Sequence, residues 1–188
     1  MDVQRDFCPG GALAVRGGDE VVPTLNRMVA ACVELGIPIY YSRDWHPPNH
    51  ISFKARGGPW PPHCVQGTPG AEFHSSLSVP PDAIVISKGD NPNAEAYSAF
   101  QGTDLEKRLE KAGVDTIILG GLTTDYCVKE STIDARRAGF GVEVLEDCTR
   151  AVNVRPKDGE NALAAIRKAG AKLTTAAQAI KQLASTQQ

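Results

Sequence analysis

Long hydrophobic runs are absent from this sequence. Its longest apolar stretches, such as residues 83–86 and 116–119, have the length of a strand, whereas a membrane-spanning helix needs about 20 apolar residues. Met1 is followed directly by Asp2 and a polar stretch, which is not the pattern of a secretory signal peptide. We therefore expect a soluble protein with no membrane partner.

The sequence also lacks an excess of charge of one sign and a disulfide pattern. Its 20 Lys and Arg residues nearly balance 22 Asp and Glu residues, so the net charge is -2. Without a polybasic surface we expect no nucleic-acid partner. The five cysteines are odd in number and follow no framework spacing, which indicates reduced thiols and a cytoplasmic location.

Short apolar strands alternate with amphipathic helices along the chain. Helices are predicted at 20–35, 104–112, 125–138, 159–169 and 176–183, and strands at 37–41, 83–87, 116–119, 141–145 and 172–173. This alternation predicts an α/β fold, a three-layer α/β/α sandwich with a mostly parallel central sheet. The 188 residues suit a single domain over 1–188, with its site beyond the carboxyl ends of the strands.

Cys127 follows a short buried strand and lies near the start of a helical stretch. The apolar run 116–119 ends at Gly120 and Gly121, and the helical pattern begins at about Asp125. A thiol in the first turn of a helix faces unpaired N–H groups and the positive end of the helix dipole, which favour the thiolate. Cys127 is therefore a candidate nucleophile, and an ordinary buried cysteine stays the alternative from position alone.

Residues 43–81 interrupt the alternation of strands and helices. The segment is rich in proline and has little periodicity, and a stretch of this length in a compact domain is typically functional or disordered. It contains all the histidines and tryptophans of the chain: Trp45, His46, His50, Trp60, His63 and His74. This concentration predicts a site in the segment, with His74 as a bystander.

A carboxylate and several imidazoles in this segment have the chemistry of a metal site. Asp44 and His46 lie two residues apart, so in an extended chain their side chains point to the same side. With His50 and His63 they form a ligand set suited to zinc, iron or manganese. Histidines that bind no metal stay the alternative, because such spacings recur by chance.

Lys88 stands directly after a predicted strand, at its carboxyl end. Most lysines in such places are solvated, yet catalytic groups collect at this edge of a parallel sheet. Together with a cysteine and an aspartate from other strand ends, a lysine would complete a nucleophile, a proton shuttle and a charge-stabilising cation.

Several motifs together resemble the nicotinamidase branch of the isochorismatase-like cysteine hydrolases. They are DVQRDF at 2–7, DWH at 44–46, PPHCVQGTPGAEFH at 61–74, SKG at 87–89 and GGLTTDYCV at 120–128. The resemblance runs from Asp2 to about Gln178. Each motif alone is modest, but their shared order is specific to the family.

The resemblance implies roles for individual residues. It implies a catalytic triad of Asp2, Lys88 and Cys127. It implies a divalent metal, Zn²⁺ first with Fe²⁺ or Mn²⁺ as alternatives, held by Asp44, His46 and His63, with His50 as a further ligand of some members. It implies an aromatic substrate pocket lined by Phe7, Trp60 and Tyr97. It also implies an oxyanion hole made by the N–H groups of Thr123 and Cys127, beside a cis peptide bond between Leu122 and Thr123.

The reaction implied by the resemblance is hydrolysis of nicotinamide to nicotinic acid and ammonia through a cysteine thioester, in NAD salvage, with pyrazinamide as a second substrate. An amidohydrolase for carbamoyl or ureido substrates is an alternative, although such relatives generally lack the metal ligands. A non-catalytic binding protein is another alternative. An isochorismate-cleaving enzyme is disfavoured, because that reaction needs no Cys127. The sequence leaves open whether the chain forms a homo-oligomer.

The start of the chain departs from this family's pattern. In the family the catalytic aspartate ends a central hydrophobic strand, whereas only Met1 precedes Asp2 here. We therefore expect a truncated first strand, or another segment in its place. Loss of that strand would leave backbone groups of its neighbours unpaired, so we expect low stability and weak activity in that case.

Overall fold

The chain forms five strands and five α-helices in the computed structural model, which describes residues 1–186. The strands are β1 (Tyr40–Asp44), β2 (Ile84–Lys88), β3 (Thr116–Leu122), β4 (Gly141–Arg150) and β5 (Lys172–Thr174). The helices are α1 (Val22–Glu34), α2 (Leu105–Lys111), α3 (Lys129–Arg137), α4 (Asp158–Lys168) and α5 (Ala176–Thr186). The last two residues of the predicted domain, Gln187 and Gln188, lie outside the described residues.

The strands pair in two parallel sheets. One sheet has the order β1-β2 and the other the order β3-β4-β5, and every strand pair is parallel. The predicted α/β class and the parallel pairing are confirmed. The single central sheet of the prediction is divided, because β1 and β3 face each other without pairing.

Helices cover both faces of the larger sheet. Helices α1 and α5 contact each other and β4 on one face, whereas α3 and α4 contact each other on the opposite face. Buried apolar side chains fill both interfaces, with Met28, Leu145 and Ala179 on the first face and Val144, Ala135 and Ile166 on the second. The larger sheet therefore has the three layers that the alternation of elements predicted.

Most predicted elements match the structure, and some of their bounds differ. Strand β1 begins at Tyr40 rather than at Ile37, since Pro38 has no N–H to donate to a ladder. The predicted helix 125–138 divides into a π-helical turn, Thr124–Val128, followed by α3. None of the helices in residues 1–186 has the length and apolar character needed to cross a membrane.

The amino terminus lies between the two sheets. The Met1 amino group donates to Gly120 O at 2.8 Å, and Leu122 N donates to Met1 O at 3.0 Å. On the other side Asp2 N donates to Ser42 O at 3.0 Å. Gly121 permits this approach, because a Cβ atom there would lie 2.0 Å from Met1 O. Residues 1–2 thus bridge β3 and β1 at one end of the gap between them.

Candidate active site

Ends of parallel strands bring the predicted site residues together. Asp44 and Lys88 are the last residues of β1 and β2 and are paired in register. Cys127 lies in the π-helical turn that follows β3. The carboxyl ends of these strands meet at one edge, where ligands of parallel α/β sheets bind. Asp2 completes the group from the amino terminus.

Lys88 connects the buried acidic groups and the thiol. Its ammonium group lies 3.1 Å from Asp2 Oδ2 and 3.4 Å from Cys127 Sγ, and it also donates to Asp44 Oδ1. Burial by itself lowers the pKa of Lys88, but the carboxylates of Asp2 and Asp44 outweigh it and raise that pKa well above its usual value. Lys88 therefore stays a cation beside the thiol.

The two carboxylate oxygens of Asp2 have different surroundings. The Ser42 hydroxyl donates to Asp2 Oδ1 at 2.6 Å. Asp2 Oδ2 is buried and accepts no hydrogen bond from residues 1–186, although the Lys88 charge lies close to it. The ligand atoms of Asp2, Asp44 and Cys127 lie within 4.8 Å of one another. Asp2 is thus placed to exchange a proton with the thiol.

The protonation state of Cys127 differs from the one that the sequence predicted. A position in the first turn of an α-helix predicted a stabilised thiolate. In the structure, burial raises the pKa of Cys127 well above its usual value; Lys88 opposes this shift, and Asp44 and Asp2 add to it. The resting group is therefore a thiol, so a nucleophilic reaction needs a base to remove its proton.

Asp44, His46 and His63 form a compact group of candidate metal ligands. Asp44 Oδ2 lies 3.6 Å from His46 Nε2 and 4.0 Å from His63 Nε2. His46 Nδ1 and His63 Nδ1 each lie 2.9 Å from a carbonyl oxygen, of Gly89 and Pro61 respectively. A carbonyl only accepts, so both Nδ1 atoms donate a proton, and both Nε2 atoms face Asp44. This is the arrangement that orients histidines toward a metal ion.

His50 is not brought into that group. Its Nε2 donates to Ala94 O at 3.0 Å, so its Nδ1 accepts from the Ser52 hydroxyl at 2.7 Å. The His50 ring instead stacks on the His46 ring, with centroids 4.2 Å apart. Since both of its ring nitrogens have partners, His50 supports the ring of a candidate ligand in this structure.

An aromatic cleft lies beside Cys127. It is lined by the predicted residues Phe7, Trp60 and Tyr97, and by Leu13, Tyr126 and Val152, which sequence reasoning missed. Trp60 Nε1 donates to the Tyr97 hydroxyl at 3.0 Å, and Trp60 also packs edge-on against Tyr126. The cavity volume is about 20 Å³, roughly the space of one water molecule.

The turn that carries Cys127 has further features. The peptide bond between Leu122 and Thr123 is cis, as the resemblance implied. Thr123 and Cys127, whose N–H groups are the candidate oxyanion donors, both line the cleft. Asp125 anchors the turn, because its carboxylate accepts from Val152 N at 2.9 Å and from Asn153 N at 2.8 Å.

Gln4 is a further residue whose role sequence reasoning missed. Its buried side-chain amide donates to Asp44 O at 2.8 Å and to Ala71 O at 2.9 Å, and it accepts from Asp44 N at 2.8 Å. Gln4 therefore holds both the N–H and the C=O group of Asp44 in place. Its place two residues after Asp2 was the available signal, since residues two apart share one side of an extended chain.

The chain is similar to known proteins over most of its length. The family model of the isochorismatase domain matches residues 1–178. The chain is 40% identical to the nicotinamidase of Escherichia coli over 198 residues, covering 94% of this chain and 93% of that protein. A crystal structure of the pyrazinamidase of Pyrococcus horikoshii in complex with zinc has a TM-score of 0.88 and 48% identity, covering 93% of this chain and 95% of that chain. PnC1 from L. infantum in complex with nicotinate has a TM-score of 0.83 and 36% identity, covering 94% and 90%.

Proposed function

Because the chain belongs to the isochorismatase family, we propose that it is a hydrolase that converts nicotinamide to nicotinic acid and ammonia. The observation that carries the proposal is the buried contact of Lys88 with both Asp2 and Cys127, next to the aromatic cleft. A thiol, a carboxylate and a fixed cation are the parts that amide hydrolysis by nucleophilic catalysis needs.

The first half of the reaction uses Asp2 as base and then as acid. Asp2 takes the proton of Cys127, and the sulfur attacks the carboxamide carbon while Lys88 balances the charge. The N–H groups of Thr123 and Cys127 donate to the oxyanion. Asp2 then gives its proton to the departing nitrogen, so ammonia leaves and a thioester of Cys127 remains.

The second half releases the acid. A water molecule takes the place of ammonia, and Asp2 removes its proton as it attacks the thioester carbon. The C–S bond breaks, nicotinic acid forms, and the proton returns to Cys127 through Asp2. The same oxyanion donors serve both halves, because both pass through a tetrahedral intermediate.

We further propose a divalent metal ion, Zn²⁺ in the first place, with Fe²⁺ and Mn²⁺ as alternatives. The two Nε2 atoms and the Asp44 carboxylate are a ligand set that fits these ions. Asp44, His46 and His63 would hold the ion. When bound, it supplies an electron-pair acceptor for the ring nitrogen of the substrate, which would orient the carboxamide toward Cys127.

Ammonia release from nicotinamide tests the proposed reaction. Cys127→Ala should lower kcat/KM at least about 1,000-fold, because the nucleophile is lost. Cys32→Ala is the matched control, since Cys32 is also a buried free thiol but lies on α1. Activity retained by Cys127→Ala would overturn the thioester mechanism. Pyrazinamide, assayed in parallel, tests the second proposed substrate.

Metal analysis of the purified protein tests the candidate ligands. We expect about one zinc per chain, and a large loss of bound metal in His46→Ala, because one of three ligands is removed. His74→Ala is the control, since His74 lies outside the ligand group. Unchanged metal content in His46→Ala would contradict the ligand assignment.

A further inference from the structure

Three buried side-chain oxygens of residues 1–186 lack a hydrogen-bond partner: Asp2 Oδ2, Thr123 Oγ1 and Thr132 Oγ1. The Asp2 oxygen has a part in the proposed reaction, as the atom that exchanges the proton of Cys127. A buried polar atom without a partner costs free energy, so its presence beside a reaction centre indicates that a bound molecule supplies the partner.

The Thr123 hydroxyl belongs to a residue of the cleft wall. Thr123 is buried and lines the aromatic cleft together with Cys127. Its carbonyl oxygen accepts from Tyr126 N at 3.3 Å and from Val128 N at 3.0 Å. These two bonds tie Thr123 to the turn that carries the thiol, so its hydroxyl stays close to the reaction centre.

Other buried threonines show that this combination is specific to Thr123. The Thr124 hydroxyl, one residue later, lies 2.8 Å from the Thr149 hydroxyl and is therefore paired. Thr132 lacks a partner as Thr123 does, but it lies on α3, outside the residues that line the cleft. Of these threonines, only Thr123 combines an unpartnered hydroxyl with a place beside the nucleophile.

The chemistry of a hydroxyl selects the part of the substrate that would pair with it. A hydroxyl has one hydrogen to donate, and no acceptor among residues 1–186 takes the hydrogen of Thr123. In a carboxamide the oxygen accepts and the nitrogen donates, so only the oxygen would satisfy that hydrogen. The N–H group of Thr123 is already a candidate donor to this oxygen. The N–H and the hydroxyl are joined through only Cα and Cβ, so both can reach one ligand atom.

We propose that the Thr123 hydroxyl is a catalytic residue, a third donor to the carboxamide oxygen beside the N–H groups of Thr123 and Cys127. This inference rests on the proposed hydrolysis of nicotinamide. A hydrogen bond to an ionised acceptor is roughly twice as strong as one between neutral groups, so the bond strengthens as the oxyanion forms. An interaction that strengthens in the transition state raises kcat more than it lowers KM.

Thr123→Val removes the hydroxyl and keeps the shape of the side chain. We expect kcat for nicotinamide to fall about 10- to 100-fold, less than for a sole oxyanion donor, with KM changed less than about threefold. Tm should not fall, because the hydroxyl has no bond to lose in the resting protein. Thr132→Val is the matched control, since it removes an equally buried, unpartnered hydroxyl, and it should change neither kcat nor Tm.

Thr123→Ser and Thr123→Ala test the hydroxyl with variants that differ by one oxygen atom. Thr123→Ser should keep kcat within about fivefold of the wild type, whereas Thr123→Ala should lose as much as Thr123→Val. Equal kcat values for the serine and alanine variants would overturn the proposal. So would a wild-type kcat in Thr123→Val.

The methyl ester of nicotinic acid distinguishes the two ends of the carboxamide. The ester keeps the carbonyl oxygen but has no N–H group, so Thr123→Val should lose a similar factor in kcat for ester hydrolysis. A loss confined to nicotinamide would place the hydroxyl on the departing nitrogen and would contradict the assignment to the oxygen.

Binding of pyridine-3-carbaldehyde gives a readout that needs no turnover. The Cys127 sulfur bonds to the aldehyde carbon, and the thiol proton moves to the former carbonyl oxygen, which takes the place of the oxyanion. Calorimetry should show a Kd weakened about five- to tenfold in Thr123→Val and unchanged in Thr132→Val. An unchanged Kd in Thr123→Val would count against the third donor.

The outcomes separate this inference from the function on which it rests. A wild-type protein that releases no ammonia from nicotinamide would refute the proposed function. An active wild type with an equally active Thr123→Val would refute only the role of the Thr123 hydroxyl.

Discussion

At the scale of single residues, the protonation of the Cys127 thiol depends on the charges around it. Lys88 lowers the pKa of the thiol, whereas burial and the carboxylates of Asp2 and Asp44 raise it. The same Asp2 that disfavours ionisation at rest is the group that can accept the proton. The Asp2 carboxylate therefore disfavours ionisation of the resting thiol, yet it acts as the base in the proposed reaction.

This opposition gives the first prediction. Asp2→Asn should shift the pH dependence of Cys127 alkylation by iodoacetamide to lower pH, because removing a negative charge lowers the thiol pKa. The same variant should lose at least about 100-fold in turnover of nicotinamide, because the base is gone. Mass spectrometry of the peptide that contains Cys127 distinguishes it from the other thiols.

Asp19→Asn is the control for that experiment, since Asp19 lies near Cys8 rather than near Cys127. It should leave the Cys127 alkylation profile unchanged. An alkylation profile that moves to higher pH in Asp2→Asn would show that Asp2 assists ionisation at rest, contrary to the arrangement described above.

The second prediction concerns Gln4, because its side chain holds the Asp44 backbone through hydrogen bonds. Gln4→Leu removes three buried hydrogen bonds around the Asp44 and Ala71 backbone. We expect zinc affinity to fall about 10- to 100-fold, as is typical when a group that orients a metal ligand is lost. Competition with a chromogenic chelator measures it. Gln66→Leu, which removes a single bond to Trp45 O, should change the affinity little.

The sequence predicted the candidate ligands but not the residues that orient them. Asp44 and His46 are two residues apart on an extended chain, so their convergence followed from local periodicity. The bond between Gln4 and Asp44 spans 40 residues, and no local pattern encodes it. The bond of His50 to Ala94 O was hidden for the same reason, since Ala94 lies on a different segment.

At the scale of elements, the sequence predicted which segments are helices and strands, and the family that their motifs indicated is confirmed. It placed the first strand three residues too early. The apolar residues Ile37 and Ile39 resemble a strand, but they line a cavity of about 440 Å³ between the two sheets instead of joining a ladder. The π-helical turn was missed because its apolar spacing differs little from that of an α-helix.

Gly121 gives the third prediction, at the end of β3. Gly121→Ala would place a Cβ atom 2.0 Å from Met1 O at a φ of 128°. Displacing Met1 also disturbs Asp2, so we expect a loss of about 3 kcal/mol in the free energy of unfolding and a large loss of activity. Gly113→Ala is the matched control, since Gly113 also has a positive φ but open space around it.

Chemical denaturation separates strain from steric overlap in these two variants. Gly113→Ala should cost about 1 kcal/mol, the backbone strain alone. Equal losses in both variants would mean that Met1 and its neighbours yield without cost, and that the bridge between β3 and β1 contributes little to the stability of the fold.

At the scale of the whole molecule, the two sheets differ in how well they are covered. The larger sheet is packed by helices on both faces, whereas β1 and β2 form a two-stranded sheet with Val85 exposed. Two strands alone are marginally stable in water. The smaller sheet therefore depends for its stability on the elements packed around it.

Hydrogen exchange under native conditions gives the fourth prediction. Amides of β1 and β2 should exchange at least about 100-fold faster than those of β4, because local opening of the smaller sheet needs less free energy. Strand β5 is the internal control, since it is an edge strand like β2 but belongs to the larger sheet. Equal protection in β2 and β4 would show that the two sheets open together.

The position of Lys88 between two groups of residues also determines whether the effects of substitutions in those groups add. It contacts both Asp2, in the proposed triad, and Asp44, in the candidate metal group. Two centres that share a buried cation cannot respond independently to substitution, so effects at Asp2 and Asp44 will not add. The effect of a change at one centre will therefore depend on which residues occupy the other, so a double variant cannot be inferred from its two single variants.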